Sequence, residues 1–208
     1  MLTLDQFESG FRLDQYIAHI KHNKENFRAN FIKAIECIAP GDLAFFRSLP
    51  QRVHVAVLTH DDSLDALRDV PIISRLSAEV NRLSLRLFDD HTQIETAQVL
   101  RQSTQGDCVA GQPDLPRIAF FSENMTYIGA QCGPLPDVAD AMRRRQLDWV
   151  QAHPDVRDAA EPFDQMSPIT RTKLTQVIYA MTPELRVAWG KMLIARCRQI
   201  LATNQDHP

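Results

Sequence analysis

The sequence of 208 residues predicts an α/β fold in which a βαβ unit is followed by a helix, a β-hairpin and a last helix. The first observation behind this prediction is the run Val-His-Val-Ala-Val-Leu at 53–58, since apolar β-branched residues are typical of a central strand covered on both faces. The second is the pair of apolar runs at 117–121 and 125–130, which Ser-Glu-Asn separates, as expected of a hairpin.

The first fifty residues are expected to form a helical extension. Leu13, Tyr16 and Ile20 recur at the spacing of one helical face, and Phe27 and Phe31 repeat that spacing further on. This extension precedes the first strand.

The βαβ unit rests on a change of hydrophobic period. Leu64, Leu67 and Leu76 keep a helical face, which Pro71 interrupts, and leucines then alternate with polar residues at 83–87 as in a second strand. A strand, a helix and a strand in this order predict a right-handed parallel unit.

The remaining elements follow the same reasoning. Ile94, Ala97 and Leu100 suggest a helix before the hairpin, and a helix from about Pro136 to Val150 follows it. The expected segments are a helical extension, a central α/β domain, a proline-bearing connector and a C-terminal pair of helices, at 1–50, 51–150, 151–168 and 169–208.

Composition excludes several classes of protein. The hydrophobic fraction of 44% is that of a soluble globular chain, no run is long and apolar enough to cross a membrane, and no secretory signal opens the sequence. We therefore expect a cytoplasmic protein that does not bind membranes. The net charge of −3 gives no field that favours nucleic acid, and the Arg143-Arg144-Arg145 run lies between Asp140 and Asp148 as on a solvated helix face.

Three positions carry a resemblance to thioredoxins. Those proteins kink their first core helix at a proline, place a cis-proline before the third strand and put a glycine loop after the last strand. Pro71, Pro116 and Gly133 stand at these places, and the region from about Phe7 to Trp149 resembles a bacterial thioredoxin-like family with a helical N-terminal extension. The resemblance implies a thioredoxin-like fold.

The same resemblance reveals a missing active site. Redox-active members carry a nucleophilic cysteine eight residues before the kinking proline and a resolving cysteine three residues later. Here these positions hold Ser63 and Ala66, so the sequence lacks a C-x-x-C motif. Ser63 reads first as a helix cap, because a hydroxyl forms no disulfide and no base stands beside it.

Two of the four cysteines offer a replacement. Cys132 precedes Gly133 and would border the groove that the resemblance implies, and Cys108 lies in a loop eight residues before Pro116. Cys108 and Cys132 either form a relocated disulfide or remain two separate thiols. The other two, Cys37 and Cys197, fall on predicted helix faces and are expected in the core.

A weaker candidate is a metal site. His60 and Asp62 follow the first strand, and Asp89 and His91 follow the second, so both pairs are expected at one edge of a parallel sheet. The alternative is that these side chains cap the helices that follow them, and this alternative is favoured.

The sequence thus leaves three functions open. The favoured one is a non-catalytic module that holds an extended peptide or protein partner in a cis-proline groove formed by Leu115, Pro116, Cys132 and Gly133, with Ser63 and Ala66 opposite and no cofactor. The second is a thiol–disulfide oxidoreductase that uses Cys132, alone or with Cys108. The third is a scaffold protein whose terminal helices pair between chains in a homodimer.

Overall fold

A computed structural model describes residues 1–61, 63–108, 115–161, 165–179 and 183–203, and gives the backbone alone at 175, 178 and 179. The chain forms two compact units. The first comprises Met1–Pro134 together with Val187–Pro208, and the second is Leu135–Arg186. These boundaries differ from the four segments expected from the sequence.

The helices and strands occur in the expected order. They are α1 (Leu4–Glu8), α2 (Leu13–His19), α3 (Lys24–Lys33), a 3₁₀ turn (Ala34–Cys37), α4 (Pro40–Arg47), β1 (Val53–Thr59), α5 (Leu64–Glu79), β2 (Leu83–Asp89), α6 (Ile94–Ser103), β3 (Arg117–Phe121), β4 (Tyr127–Cys132), α7 (Pro136–Ala152), α8 (Pro168–Tyr179) and α9 (Pro183–Thr203).

The four strands form one mixed sheet in the order β2-β1-β3-β4. β1 and β2 are parallel, as the βαβ pattern predicts, while β3 runs antiparallel to both β1 and β4. The α/β class is confirmed. The outer edge of β2 pairs with the N-terminal extension at one point. There, Leu87 exchanges two backbone hydrogen bonds of 2.8 Å with Phe11.

One face of the sheet packs against α1 and α6. Its buried core joins strand residues to Phe7 of α1 and to Ala97 and Leu100 of α6; the strand residues are Ala56, Leu58, Phe88, Ala119, Phe121 and Ala130. They alternate along each strand because successive side chains point to opposite faces. Cys132, Leu115 and Tyr127 pack against the same core.

The last helix folds back onto the first unit. From Val187 onward, α9 buries Trp189, Leu193 and Ile200. At Gly129 of β4, a Cβ atom would lie 2.8 Å from the Ile200 side chain, so only glycine lets the helix pass this closely. Packing within one chain therefore covers these apolar side chains of α9.

The second unit has a small core of its own. Trp149 and Leu174 are buried with Ala159 and Met166, residues that lie in the segment expected to be a connector. The Asp158 carboxylate fixes the start of α8 by accepting hydrogen bonds from Thr170 and from the backbone of Ser167.

Within the part of the chain that the structure describes, no helix combines the length and apolar character needed to span a membrane.

Candidate functional site

The sheet register brings the candidate segments to one edge. Leu58 of β1 pairs with Arg117 of β3, and Arg117 pairs with Cys132 of β4. The end of β1, the start of β3 and the end of β4 are therefore neighbours, with strand spacings of about 4.8 Å. This end of the sheet carries the loop toward Ser63, the proline before β3 and the sulfur of Cys132.

The segments that flank β3 and β4 are joined beyond the strands. The Leu115–Pro116 peptide bond is cis, as the resemblance implies. The Gly133 N–H donates a 3.0 Å hydrogen bond to the Pro116 carbonyl, and Gly133 has a positive φ of 61°. The structure thus brings Pro116 and Gly133 together next to Cys132; Pro116 and Gly133 are buried, and Cys132 is partly buried.

Cys108 and Cys132 form a disulfide with their Cα atoms 5.4 Å apart. Both residues are partly buried. Of the two arrangements that the sequence left open, the structure has the bonded one. The bond joins the segment after α6 to the end of β4, directly beside Pro116.

A buried arginine lies across from Cys132. Directly opposed residues of an antiparallel pair project to the same face of a sheet, so Arg117 and Cys132 share the face that α6 covers. The Arg117 guanidinium donates hydrogen bonds to the Thr104 hydroxyl at 2.8 Å and to the Arg101 carbonyl at 3.3 Å. The guanidinium is therefore held at the base of the turn that carries Cys108, on the face of the sheet that Cys132 shares.

The segment between α6 and Cys108 is attached to β4 through Asp107. Its carboxylate accepts a hydrogen bond from the Tyr127 hydroxyl and one of 3.0 Å from the Ala130 N–H. Burial and the Asp107 carboxylate raise the pKa of Tyr127, which keeps the phenol protonated as a donor. Sequence reasoning did not identify Asp107 or Tyr127.

A second set of polar contacts supports the turn after β4. The Gln131 side-chain amide donates to the carbonyls of Cys132 and Gly133, each at 3.2 Å. Its amide oxygen accepts from Arg196 of α9 at 3.4 Å. The C-terminal helix therefore contributes to the position of the Cys132 backbone.

The start of α5 holds the two residues that replace the expected cysteines. Ser63 is the N-cap, and its hydroxyl accepts a 3.1 Å hydrogen bond from the Ala66 N–H. Ala66 is fully buried. The cap interpretation of Ser63 is confirmed.

Acidic residues around this helix start are engaged by the protein itself. Asp65 and Asp69 both pair with the buried Arg68, at 2.8 and 2.6 Å. Asp61 accepts backbone N–H bonds from Lys21 and His22, at 2.9 and 2.8 Å. Burial alone would raise the pKa of Asp61, but these hydrogen bonds together lower it and keep the carboxylate ionised.

The structure brings two of the predicted metal ligands near each other. The His60 and His91 rings lie 5.1 Å apart. Asp89 accepts N–H bonds from His91 and Thr92 and lies 3.3 Å from His19, so it closes the turn before α6; the N-cap of that helix is Gln93, and the expected capping by Asp89 is wrong. Asp62 lies outside the described residues, and among those described no group of three or more potential ligands is arranged for a metal.

The other two cysteines are in the core, as expected. Cys37 and Cys197 are both fully buried. Burial raises the pKa of Cys197 to about 12, and the nearby Asp69 carboxylate acts in the same direction. Its thiol is therefore unreactive at neutral pH.

Comparisons with known proteins identify the fold and leave the function open. No protein-family model matches the chain. No curated protein matches it either. A crystal structure of a protein of unknown function from Pseudomonas aeruginosa is similar at a TM-score of 0.57 and 11% identity, over 95% of this chain and 99% of that one. An HIV epitope-scaffold is similar at a TM-score of 0.53 and 11% identity, over 93% and 98%. The chain shares the fold of these structures.

Proposed function

We propose that this protein is a thioredoxin-like thiol–disulfide oxidoreductase that works through Cys108 and Cys132. The observation that carries the proposal is the disulfide between these residues beside Pro116. The order of elements and the proline before β3 support the thioredoxin-like assignment. The reactive pair does not lie at the start of α5, where Ser63 and Ala66 stand; it joins the segment after α6 to the end of β4.

The reaction is a two-electron exchange. In the reduced protein one thiolate attacks a sulfur of a substrate disulfide, the substrate S–S bond breaks, and the departing thiolate takes up a proton. The second cysteine then attacks the mixed disulfide, which releases the substrate as a dithiol and closes the Cys108–Cys132 bond. A dithiol reductant supplies the two electrons and two protons that reopen it.

Cys132 is the better attacking thiol. Arg117 lies opposite it in the sheet, and a nearby positive charge stabilises a thiolate. Cys108 follows the carboxylate of Asp107 in the chain, which disfavours a second negative charge there. We therefore assign Cys132 as the thiol that forms the mixed disulfide and Cys108 as the thiol that resolves it.

The test compares variants in the reduction of a disulfide-bonded model peptide, with dithiothreitol as the electron donor. We expect turnover above the uncatalysed rate by the natural chain and none by Cys132→Ser. Cys108→Ser, reduced and then freed of dithiothreitol, should stop at a mixed disulfide that mass spectrometry detects on Cys132. Cys197→Ala is the matched control, because its thiol is buried and should not contribute. Undiminished turnover by Cys132→Ser would refute the proposal.

A second function, a peptide-binding module, is favoured by the start of α5. The Ser63 hydroxyl is used as a helix cap and Ala66 is buried, so this turn performs no thiol chemistry. An extended peptide held along Leu115 and Pro116 would need none. The test is selection from a peptide library on the Cys108→Ser/Cys132→Ser variant. Binding that shifts the backbone NMR signals of residues 115–117 would support this function, and failure to select any peptide would count against it.

A further inference from the structure

Hydrogen bonds hold the segment from Thr104 to Cys108 in place independently of the disulfide. The Thr104 carbonyl accepts hydrogen bonds from the N–H groups of Asp107 and Cys108, at 3.0 and 3.2 Å, so the segment closes on itself as a turn. The Thr104 hydroxyl accepts the 2.8 Å bond from Arg117. The base of the turn is therefore tied to β3 by a non-covalent contact.

Its tip is tied to β4 by Asp107. The Asp107 carboxylate accepts from the Tyr127 hydroxyl and the Ala130 N–H, residues that lie 20 and 23 positions further along the chain. We call these three groups the Asp107 latch. Asp107 immediately precedes Cys108, and the strand of Tyr127 and Ala130 ends at Cys132. The latch and the disulfide thus join the same two segments.

We propose that Asp107 and Tyr127 are positioning residues that set the equilibrium between the disulfide and the dithiol. When the S–S bond opens, the latch keeps Cys108 beside Cys132, so closing the bond again does not require the turn to be ordered anew. Without the latch the two thiols meet less often, and the disulfide is easier to reduce. The biological role of this positioning rests on the proposed function, but the equilibrium between disulfide and dithiol is measurable without a substrate.

Tyr127 acts through Asp107 rather than on the sulfur atoms. Its hydroxyl is bonded to the carboxylate, and its ring packs edge-on against Phe121 with centroids 5.6 Å apart. Tyr127→Phe keeps that packing and removes the donor alone. Asp107→Ala removes the acceptor for both donors, so its effect should be the larger one.

Linkage supplies an independent readout. If the latch favours the disulfide by some factor, the disulfide favours the latch by the same factor. The Ala130 amide, whose hydrogen bond goes to the Asp107 carboxylate, should therefore exchange its hydrogen faster in the reduced protein than in the oxidised protein. Asp107→Ala should abolish most of that difference.

The decisive experiment equilibrates each variant in graded mixtures of reduced and oxidised glutathione, then counts alkylated thiols by mass spectrometry. We expect Asp107→Ala to lower the equilibrium constant for the Cys108–Cys132 disulfide about tenfold, which is about 30 mV for a two-electron couple. Tyr127→Phe should lower it less, and the double variant should match Asp107→Ala. Asp140→Ala removes an exposed carboxylate from the second unit and serves as the control.

A purely structural role makes a different prediction. Loss of stability that affects both redox forms equally leaves the glutathione equilibrium unchanged, and that result for Asp107→Ala and Tyr127→Phe would overturn the inference. If Asp107→Ala fails to fold, Tyr127→Phe and the Ala130 exchange rates decide. Peptide turnover that fails while the variants shift the equilibrium would instead reject the proposed oxidoreductase and leave the latch in place.

Discussion

Breaking the Cys108–Cys132 bond should lower the free energy of unfolding of the first unit by about 3.5 kcal/mol. The cysteines are 24 positions apart, and the chain-entropy relation for a loop of that length gives this value at 25 °C. The latch and the Thr104 turn hold the folded structure in place when the bond is reduced. The loss of stability therefore comes from the larger conformational freedom of the reduced, unfolded chain.

Urea unfolding of the oxidised and reduced protein measures this difference. Trp189 belongs to the first unit and Trp149 to the second, so a Trp149→Phe background leaves fluorescence that reports the first unit alone. With a slope of about 2–3 kcal/mol per molar urea, the midpoint should fall by about 1–2 M on reduction. Cys108→Ser/Cys132→Ser should behave like the reduced protein with or without reductant. Identical midpoints for oxidised and reduced protein would refute the reasoning.

Three further outcomes test the account elsewhere in the fold. Gly190→Ala should lower the free energy of unfolding by about 1–3 kcal/mol in chemical denaturation, because the new methyl group would overlap the Cys37 side chain. Gly41→Ala is the control, since its methyl group meets nothing nearby and the change should be neutral or stabilising. Burial lowers the pKa of His54 below 6.5, so stability should be complete above pH 6.5 and fall with pH below it; His54→Leu should flatten that slope. NMR titration of Asp158 should give a pKa of about 2, because the Thr170 hydroxyl and the Ser167 N–H donate hydrogen bonds to the ionised carboxylate. The contribution of Asp158 to stability is therefore present above about pH 4 and is lost toward pH 2.

The elements were predictable from the sequence because local patterns determine them. Three local patterns indicate strands whose side chains face a core. They are the apolar run that begins at Val53, the alternating leucines of β2, and the two apolar runs on either side of the short turn between β3 and β4. Ser63 was recognisable as a cap since it stands just before an apolar helical face.

Contacts between distant segments were not predictable in this way. Asp107 lies in a turn whose sequence resembles any polar loop, and nothing local indicates that its carboxylate reaches Tyr127 and Ala130. The disulfide could be named only as an alternative, because it depends on how the segment after α6 approaches β4. The return of α9 across Gly129 likewise depends on packing between elements that are far apart in the chain.

The central claim is that Cys108 and Cys132 form a reversible redox pair, and thiol counting in graded glutathione buffers tests it most directly. The account expects the two thiols of this pair to become alkylated together as the buffer becomes reducing, with Cys37 and Cys197 unreactive in the folded protein throughout. Independent alkylation of Cys108 and Cys132 in every buffer, with no linked form, would contradict it.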